Sequence, residues 1–151
     1  MATKKVYFPK IRLAEIVAAS GGVSREDAVA AAVQNVQAIS GEGDAVMIAS
    51  IQSLEEIITE AGGRLNASAL DAILVHADQV ITLAGTFGYD RLDRAARSLC
   101  DTIECLQSAG LSDIAPVAVH LDAMRLFSPG KSAPPGDAAE GILAELARVQ
   151  T

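Results

Sequence analysis

The sequence predicts an all-α protein: an antiparallel up-and-down four-helix bundle with extra helices at both ends. No segment alternates apolar and polar residues with the period of two that a half-buried strand needs. Glycine pairs and single glycines instead separate segments with helical apolar spacing. Half of the residues are hydrophobic but only 3% are aromatic, and small aliphatic side chains suit closely packed helices.

Two helices are predicted before the bundle. The first covers residues 11–19 and ends at a Gly-Gly pair. The second covers residues 24–39, with Ser24 as its N-cap and with Glu26 and Asp27 in its first turn, where carboxylates stabilise the helix dipole. These N-terminal helices either pack on the bundle or mediate a homodimer.

The predicted core bundle occupies about residues 44–128 of a single helical domain, residues 1–151. Joints of roughly two to six residues favour antiparallel neighbours. The predicted core helices cover residues 44–61, 68–84, 90–108 and 112–127. A loop rich in proline and glycine, residues 128–136, then leads to a last helix over residues 138–149.

Composition excludes several classes of function. The net charge of −7 argues against nucleic-acid binding, which needs clustered lysine and arginine. Cys100 and Cys105 lie on different faces of one predicted helix and cannot form a disulfide there. With reduced cysteines, no secretory signal pattern and no apolar run long enough to cross a bilayer, we expect a cytoplasmic protein without membrane association.

The motifs of small-molecule enzymes are absent from the sequence. There is no glycine loop with a lysine to hold phosphate, no Ser-His-Asp grouping that the sequence can place and no paired-carboxylate site. No cysteine and histidine spacing suggests a zinc site. We therefore expect no metal, no cofactor and no small-molecule enzyme.

A helical wheel of residues 68–84 separates a buried stripe from an outer face. The predicted buried stripe comprises Ile73, Ala77, Val80 and Ala84. His76 lies roughly 60° from the centre of this stripe and Asp78 roughly 140° from it. The outer face, here called the Asp78 face, is predicted to be a partner-docking surface; its residues are Leu74, Asp78, Ile81, Thr82 and Gly85.

The turn after this helix carries two glycines with predicted structural roles. Gly85 is expected to end the helix in a left-handed cap, and Gly88 to allow close approach of the next helix. Phe87 is expected to fill the end of the bundle and to be mostly buried. The facing stripe of the next helix is predicted to be buried as well, at Leu92, Ala96 and Leu99.

The segment "AGTFGYDRLDRAARSL", residues 84–99, resembles the second half of the signature of histidine phosphotransfer (Hpt) domains. In that family an Ala-His pair precedes an Ala-Gly-x-Φ-Gly turn and a Leu-x-x-x-Ala-x-x-Leu helix. Counting back ten residues from Gly88 aligns Ala77-Asp78 with the Ala-His pair. Ile81 then aligns with the family's basic residue, and Thr82 with its glycine. "AVHLDAMRLF", residues 118–127, is similar to a later helix of Hpt-like proteins.

The resemblance implies a phosphotransfer helix on which Asp78 replaces the phosphoacceptor histidine. Phosphate transfer in the family needs an exposed imidazole and a nearby cation, and neither Asp78 nor Ile81 supplies them. We therefore expect a non-phosphorylatable adaptor that docks a response-regulator receiver domain or a histidine kinase.

Two other functions stay open at this point. The chain could be an active phosphotransfer protein that uses His76 as the acceptor, or a helical oligomerisation or scaffold protein outside signalling. Against the first alternative, His76 is expected to be a boundary residue that hydrogen-bonds across the bundle. His120 lies among apolar residues and is expected to be a core histidine.

Overall fold

The computed structural model describes residues 21–149, and these residues are helical without any strand. Six helices lie in this range: α1 Arg25–Ala38, α2 Ser40–Glu60, α3 Ala67–Phe87, α4 Asp90–Ala109, α5 Ala115–Leu126 and α6 Gly136–Val149. The prediction of an all-α protein is thus confirmed. The helix predicted over residues 11–19 lies outside the described residues.

The chain divides into two compact units, Met1–Asn35 and Val36–Thr151. The described part of the first unit contains most of α1. Ser24 caps this helix as predicted, since its Oγ accepts a hydrogen bond from the backbone N–H of Asp27 at 3.0 Å. No residue of α1 is buried.

The second unit is a bundle in which consecutive helices pack against each other. α2 packs on α3, α3 on α4, α4 on α5 and α5 on α2, while α6 packs on α4 and α5. The Tyr89 hydroxyl donates to Asp44 at 2.8 Å at one end of the bundle. At the other end Arg64 and Asp113 form an isolated antiparallel bridge. The helices between these two ends therefore alternate in direction.

The last helix, α6, continues the hydrophobic core and is joined to α4 by polar contacts. It buries Ala139, Leu143 and Leu146. Arg94 of α4 donates to both carboxylate oxygens of Glu140 at 2.9 Å. Because both side chains are exposed, this ion pair contributes little stability. The apolar burial is what stabilises α6 on the bundle.

The two stripes predicted for α3 and α4 form the centre of the core. The prediction of their burial is confirmed for seven residues, each at most 1% exposed: Ile73, Ala77, Val80, Ala84, Leu92, Ala96 and Leu99. α3 is also long and apolar enough to cross a membrane by length and composition, although the sequence suggested no such run. A helix that supplies the core of a bundle meets the same test, so this is weak evidence of membrane insertion.

The turn between α3 and α4 differs from the prediction in the roles of its glycines. α3 continues through Phe87, and Gly88 is its left-handed cap, with a φ of 80°. The N–H of Tyr89 donates to the carbonyl of Ala84 at 2.9 Å. Gly85 lies within the helix and is exposed. The helix is longer than predicted because Gly88, not Gly85, adopts the conformation that ends it.

A glycine of α2, Gly43, lies directly against the ring of Phe87. A Cβ at Gly43 would overlap three ring atoms of Phe87, whereas no atom lies within 4 Å of a Cβ built at Gly88. Phe87 is partly buried and packs on the edge of the core, which agrees with the prediction that it is mostly buried but sets it apart from the fully buried residues. The ring lies over the Gly43 backbone instead of filling the interior.

We expect Gly43→Ala to have opposite effects in two backgrounds. In the wild type it should destabilise the fold by about 1–2 kcal/mol, because the new methyl displaces the Phe87 ring. In a Phe87→Ala background it should stabilise the helix by up to about 1 kcal/mol, the difference in helix propensity between alanine and glycine. Phe87→Ala alone should cost about 1–3 kcal/mol, since the ring is only half-buried. Urea denaturation of the wild type, the two single variants and the double variant measures the coupling free energy between Gly43 and Phe87. Equal effects of Gly43→Ala in both backgrounds would contradict the predicted clash with the Phe87 ring.

Candidate functional site

Asp78 lies in the middle of α3 with its side chain exposed to solvent. The neighbouring threonines turn their hydroxyl groups onto the helix backbone. Thr82 Oγ1 donates to the carbonyl of Asp78 at 3.0 Å, and Thr86 Oγ1 donates to the carbonyl of Thr82 at 2.8 Å. The Asp78 carboxylate is therefore the polar group that the centre of this surface offers to a partner.

The five residues of the Asp78 face occupy one strip of α3, about 100° wide on the helix. Thr82 and Gly85 are exposed, as Asp78 is, while Leu74 and Ile81 are half-buried and pack against the core. No atom lies within 4 Å of a Cβ built at Gly85, so the surface is open there. The strip thus combines one carboxylate with apolar side chains and a shallow, accessible end.

Val75 lies beside the Asp78 face, although it was not among the residues predicted from the sequence. Its side chain is 67% exposed, and its helical position is about 60° from that of Asp78. The helical wheel of residues 68–84 places Val75 next to the Asp78 face, so the sequence could have identified it. Val75 adds an exposed apolar side chain on the edge opposite Ile81.

Arg97 of α4 is a second residue that the sequence analysis missed. Its guanidinium forms an ion pair with Asp93, with Nε 2.9 Å from Oδ2. The pKa of Arg97 is raised, mainly by the hydrogen bond to Asp93 and to a smaller extent by the charges of Asp93 and Asp78. Asp78 therefore lies near a cation of the adjacent helix, Arg97. Three residues further along its own helix stands Ile81, which carries no charge.

Cys100 lies near Asp78 on the α4 side of the same surface. The thiol is half-buried, and neither Cys100 nor Cys105 forms a disulfide. Burial raises the pKa of Cys100, and the nearby carboxylates of Asp101, Asp78 and Glu104 raise it further. A raised pKa reduces the thiolate fraction at neutral pH, so Cys100 is a packing residue and a poor nucleophile.

His76 lies on a different side of α3 from Asp78, about 160° around the helix. This is the side that faces α2, since Gln79 there accepts a hydrogen bond from Ser50 of α2 at 2.9 Å. His76 is half-buried, and its Nδ1 is buried without a hydrogen-bond partner among the described residues. The hydrogen bond across the bundle that we predicted for His76 is therefore not made by this nitrogen.

His120 is a core residue between α4 and α5, as predicted, and is fully buried. Its Nδ1 lies 2.7 Å from the carbonyl oxygen of Pro116. Because a carbonyl only accepts, Nδ1 carries the proton and Nε2 accepts from Ser98 Oγ at 3.0 Å. Thr102 Oγ1 lies 3.3 Å from Nε2 but donates to the Ser98 carbonyl. Burial lowers the pKa of His120, so its neutral form belongs to the folded state.

Residues 21–149 contain no group of three histidine, cysteine, aspartate or glutamate side chains arranged to hold a metal ion. No protein-family model, curated protein or solved structure matches the chain. Its function therefore has to be inferred from the residues of the site and their geometry.

Proposed function

We propose that this protein is an Hpt-like helical bundle in two-component signalling that binds a response-regulator receiver domain or a histidine kinase without accepting phosphate. The observation that carries the proposal is the position of Asp78. It aligns with the family's phosphoacceptor histidine, and its side chain is exposed at mid-helix with apolar neighbours on either side. The Asp78 face can therefore dock a partner domain, although it lacks the nucleophilic imidazole that phosphate transfer needs.

Asp78 is a poor phosphoacceptor for chemical reasons. Receiver domains phosphorylate an aspartate with the help of a metal ion and a lysine. The cation of α4 that lies near Asp78 is Arg97, and its guanidinium is hydrogen-bonded to Asp93. The guanidinium of arginine stays protonated at physiological pH, so Arg97 serves to bind anions and does not transfer protons. Asp78 and Arg97 together offer a partner one anion and one cation to pair with.

The placement of His76 favours the adaptor over the alternative of an active relay. A relay histidine has to present a free imidazole nitrogen to an aspartyl phosphate on a partner domain. His76 lies on the side of α3 that faces α2, and its Nδ1 is buried. A partner docked on the Asp78 face would therefore lie on the other side of α3 from His76, about 160° around the helix.

Phosphate transfer is the direct test of this function. Receiver domains from the same cell, phosphorylated with a radioactive label, are incubated with the wild type, His76→Gln and the double variant Asp78→His with Ile81→Lys. We expect no label on the first two proteins, and weak acid-labile, base-stable label on the double variant. The double variant restores a nucleophile and a cation to one face, although Thr82 still stands where the family has glycine. Label on the wild type that is lost in His76→Gln would replace the adaptor with a relay.

A further inference from the structure

The charges beside the Asp78 face are mostly negative. The charged side chains that act on the Cys100 thiol are three carboxylates, those of Asp78, Asp101 and Glu104, and one guanidinium, that of Arg97. Arg97, Cys100 and Glu104 are three or four residues apart on α4, so they share one face of that helix. This face of α4 borders Asp78 of α3. A partner docked on Asp78 therefore meets an anionic surface.

Arg97 does not balance these carboxylates. Its Nε lies 3.1 Å from Oδ1 and 2.9 Å from Oδ2 of Asp93, so its charge is already paired on its own helix. With Asp93 included, the group holds four carboxylates and one guanidinium. A partner group that docks against Asp78 is therefore favoured by positive charge and disfavoured by negative charge.

We propose, on the premise of the adaptor function above, that the Asp78 face binds a receiver domain in its unphosphorylated form and that phosphorylation of the receiver releases it. Asp78 aligns with the family's phosphoacceptor. Because phosphoryl transfer requires donor and acceptor in contact, a receiver docked in that way places its own phosphorylation site opposite Asp78. In the unphosphorylated receiver this site offers the Asp78 carboxylate a metal ion and a lysine.

Phosphorylation changes the charge that Asp78 meets. An aspartyl phosphate carries about one more negative charge than an aspartate, and its oxygens bind the metal ion and the lysine that Asp78 would otherwise approach. The carboxylate of Asp78 then faces an anion. Repulsion between two unit charges about 4 Å apart in water corresponds to roughly a fivefold change in dissociation constant, and to more where water is excluded.

Charge complementarity also favours a receiver over a histidine kinase as the partner. A kinase would bring a histidine to the position opposite Asp78, and a histidine is largely neutral at physiological pH. A receiver brings a divalent cation and a lysine to the same position. The four carboxylates around Arg97 therefore attract the receiver's site more strongly.

Calorimetric titration of the full chain with receiver domains from the same cell tests the proposal. Each titration is made in magnesium alone and in magnesium with beryllium fluoride, which forms a stable mimic of the phosphoryl group on the receiver's aspartate. The dissociation constant of the wild type should rise at least about fivefold when beryllium fluoride is added. Equal or tighter binding would overturn the proposal and leave the adaptor function standing. Binding of a kinase but of no receiver would do the same, whereas binding of neither would overturn both.

Two charge variants separate this repulsion from a change in the shape of the receiver. Asp78→Asn keeps the size of an exposed side chain and removes its charge, so the preference for the unphosphorylated receiver should fall below about twofold. Arg97→Gln removes the guanidinium and should raise the preference above that of the wild type. A preference that survives in Asp78→Asn, or that Arg97→Gln lowers, would overturn the proposal.

Asp122→Asn is the matched control for the loss of a carboxylate. Asp122 is 77% exposed and lies on α5, which packs on α2, α4 and α6. This variant should keep the preference of the wild type. Far-ultraviolet circular dichroism and thermal midpoints equal to those of the wild type establish that each variant is folded.

Discussion

His120→Ala is expected to lower the free energy of unfolding by about 2–5 kcal/mol. The ring is fully buried between α4 and α5, so its removal leaves a cavity in the core. Ser98 also loses the acceptor that lies 3.0 Å from its hydroxyl, and the Pro116 carbonyl loses the Nδ1–H donor. Urea denaturation followed by circular dichroism at pH 7.5 measures the difference. A loss below about 0.5 kcal/mol would show that the site collapses without cost.

The same histidine should make stability depend on pH. Its folded pKa is lowered by burial, with Asp101 acting in the opposite direction. Stabilisation by the neutral ring is therefore complete above the unfolded pKa of about 6.5 and is lost as the pH falls from there through the folded pKa. The expected slope for one proton is at most about 1.4 kcal/mol per pH unit. His120→Gln should remove this part of the slope; identical profiles for the two proteins between about pH 5.5 and 7 would contradict it.

Ile81→Glu is expected to weaken binding of the proposed partner, a receiver domain or a kinase, by about 30-fold or more, which corresponds to about 2 kcal/mol at the centre of an interface. The substitution places an unpaired carboxylate beside Asp78, where a partner would have to exclude water. Calorimetric titration with the partner that binds the wild type measures the effect.

Two further variants separate binding from folding in this experiment. Ile81 is half-buried, so its substitution also carries a cost in stability. Val75→Glu places the charge on a side chain that is 67% exposed, at the other edge of the surface, and should weaken binding without a loss of stability. Val46→Glu on α2 should bind like the wild type. If Ile81→Glu and Val75→Glu both bind like the wild type, the partner does not use the Asp78 face.

Periodicity along single helices was sufficient to predict the core. The stripes of α3 and α4 follow from spacing alone, because an α-helix places every third or fourth residue on one side. The cap of α1 at Ser24 was also predictable, because it depends on a hydrogen bond between residues only three apart in the sequence. The exposed position of Asp78 and the opposite orientation of His76 are likewise properties of one helix.

Features that depend on two helices could not be predicted in this way. The contact between Gly43 and Phe87 joins α2 to the end of α3. Arg97, which lies near Asp78, belongs to α4, so a search for a cation three residues along α3 finds only Ile81. The network around His120 combines side chains and a carbonyl that are 18, 22 and 4 residues away. Such pairings depend on helix rotation and register, which no single-helix pattern specifies.

The order in which the helices pack has a consequence for the folding kinetics of the bundle. Four of the six helix pairs that pack together, from α2·α3 to α5·α6, are neighbours along the chain. Only Gly88 and Tyr89 separate α3 from α4, so the entropy lost in bringing these two helices together is small. Native contacts are consequently local in sequence, the property associated with folding in microseconds to milliseconds. The α3–α4 hairpin, which carries the Asp78 face, can thus form before the contact of α5 with α2 closes the bundle.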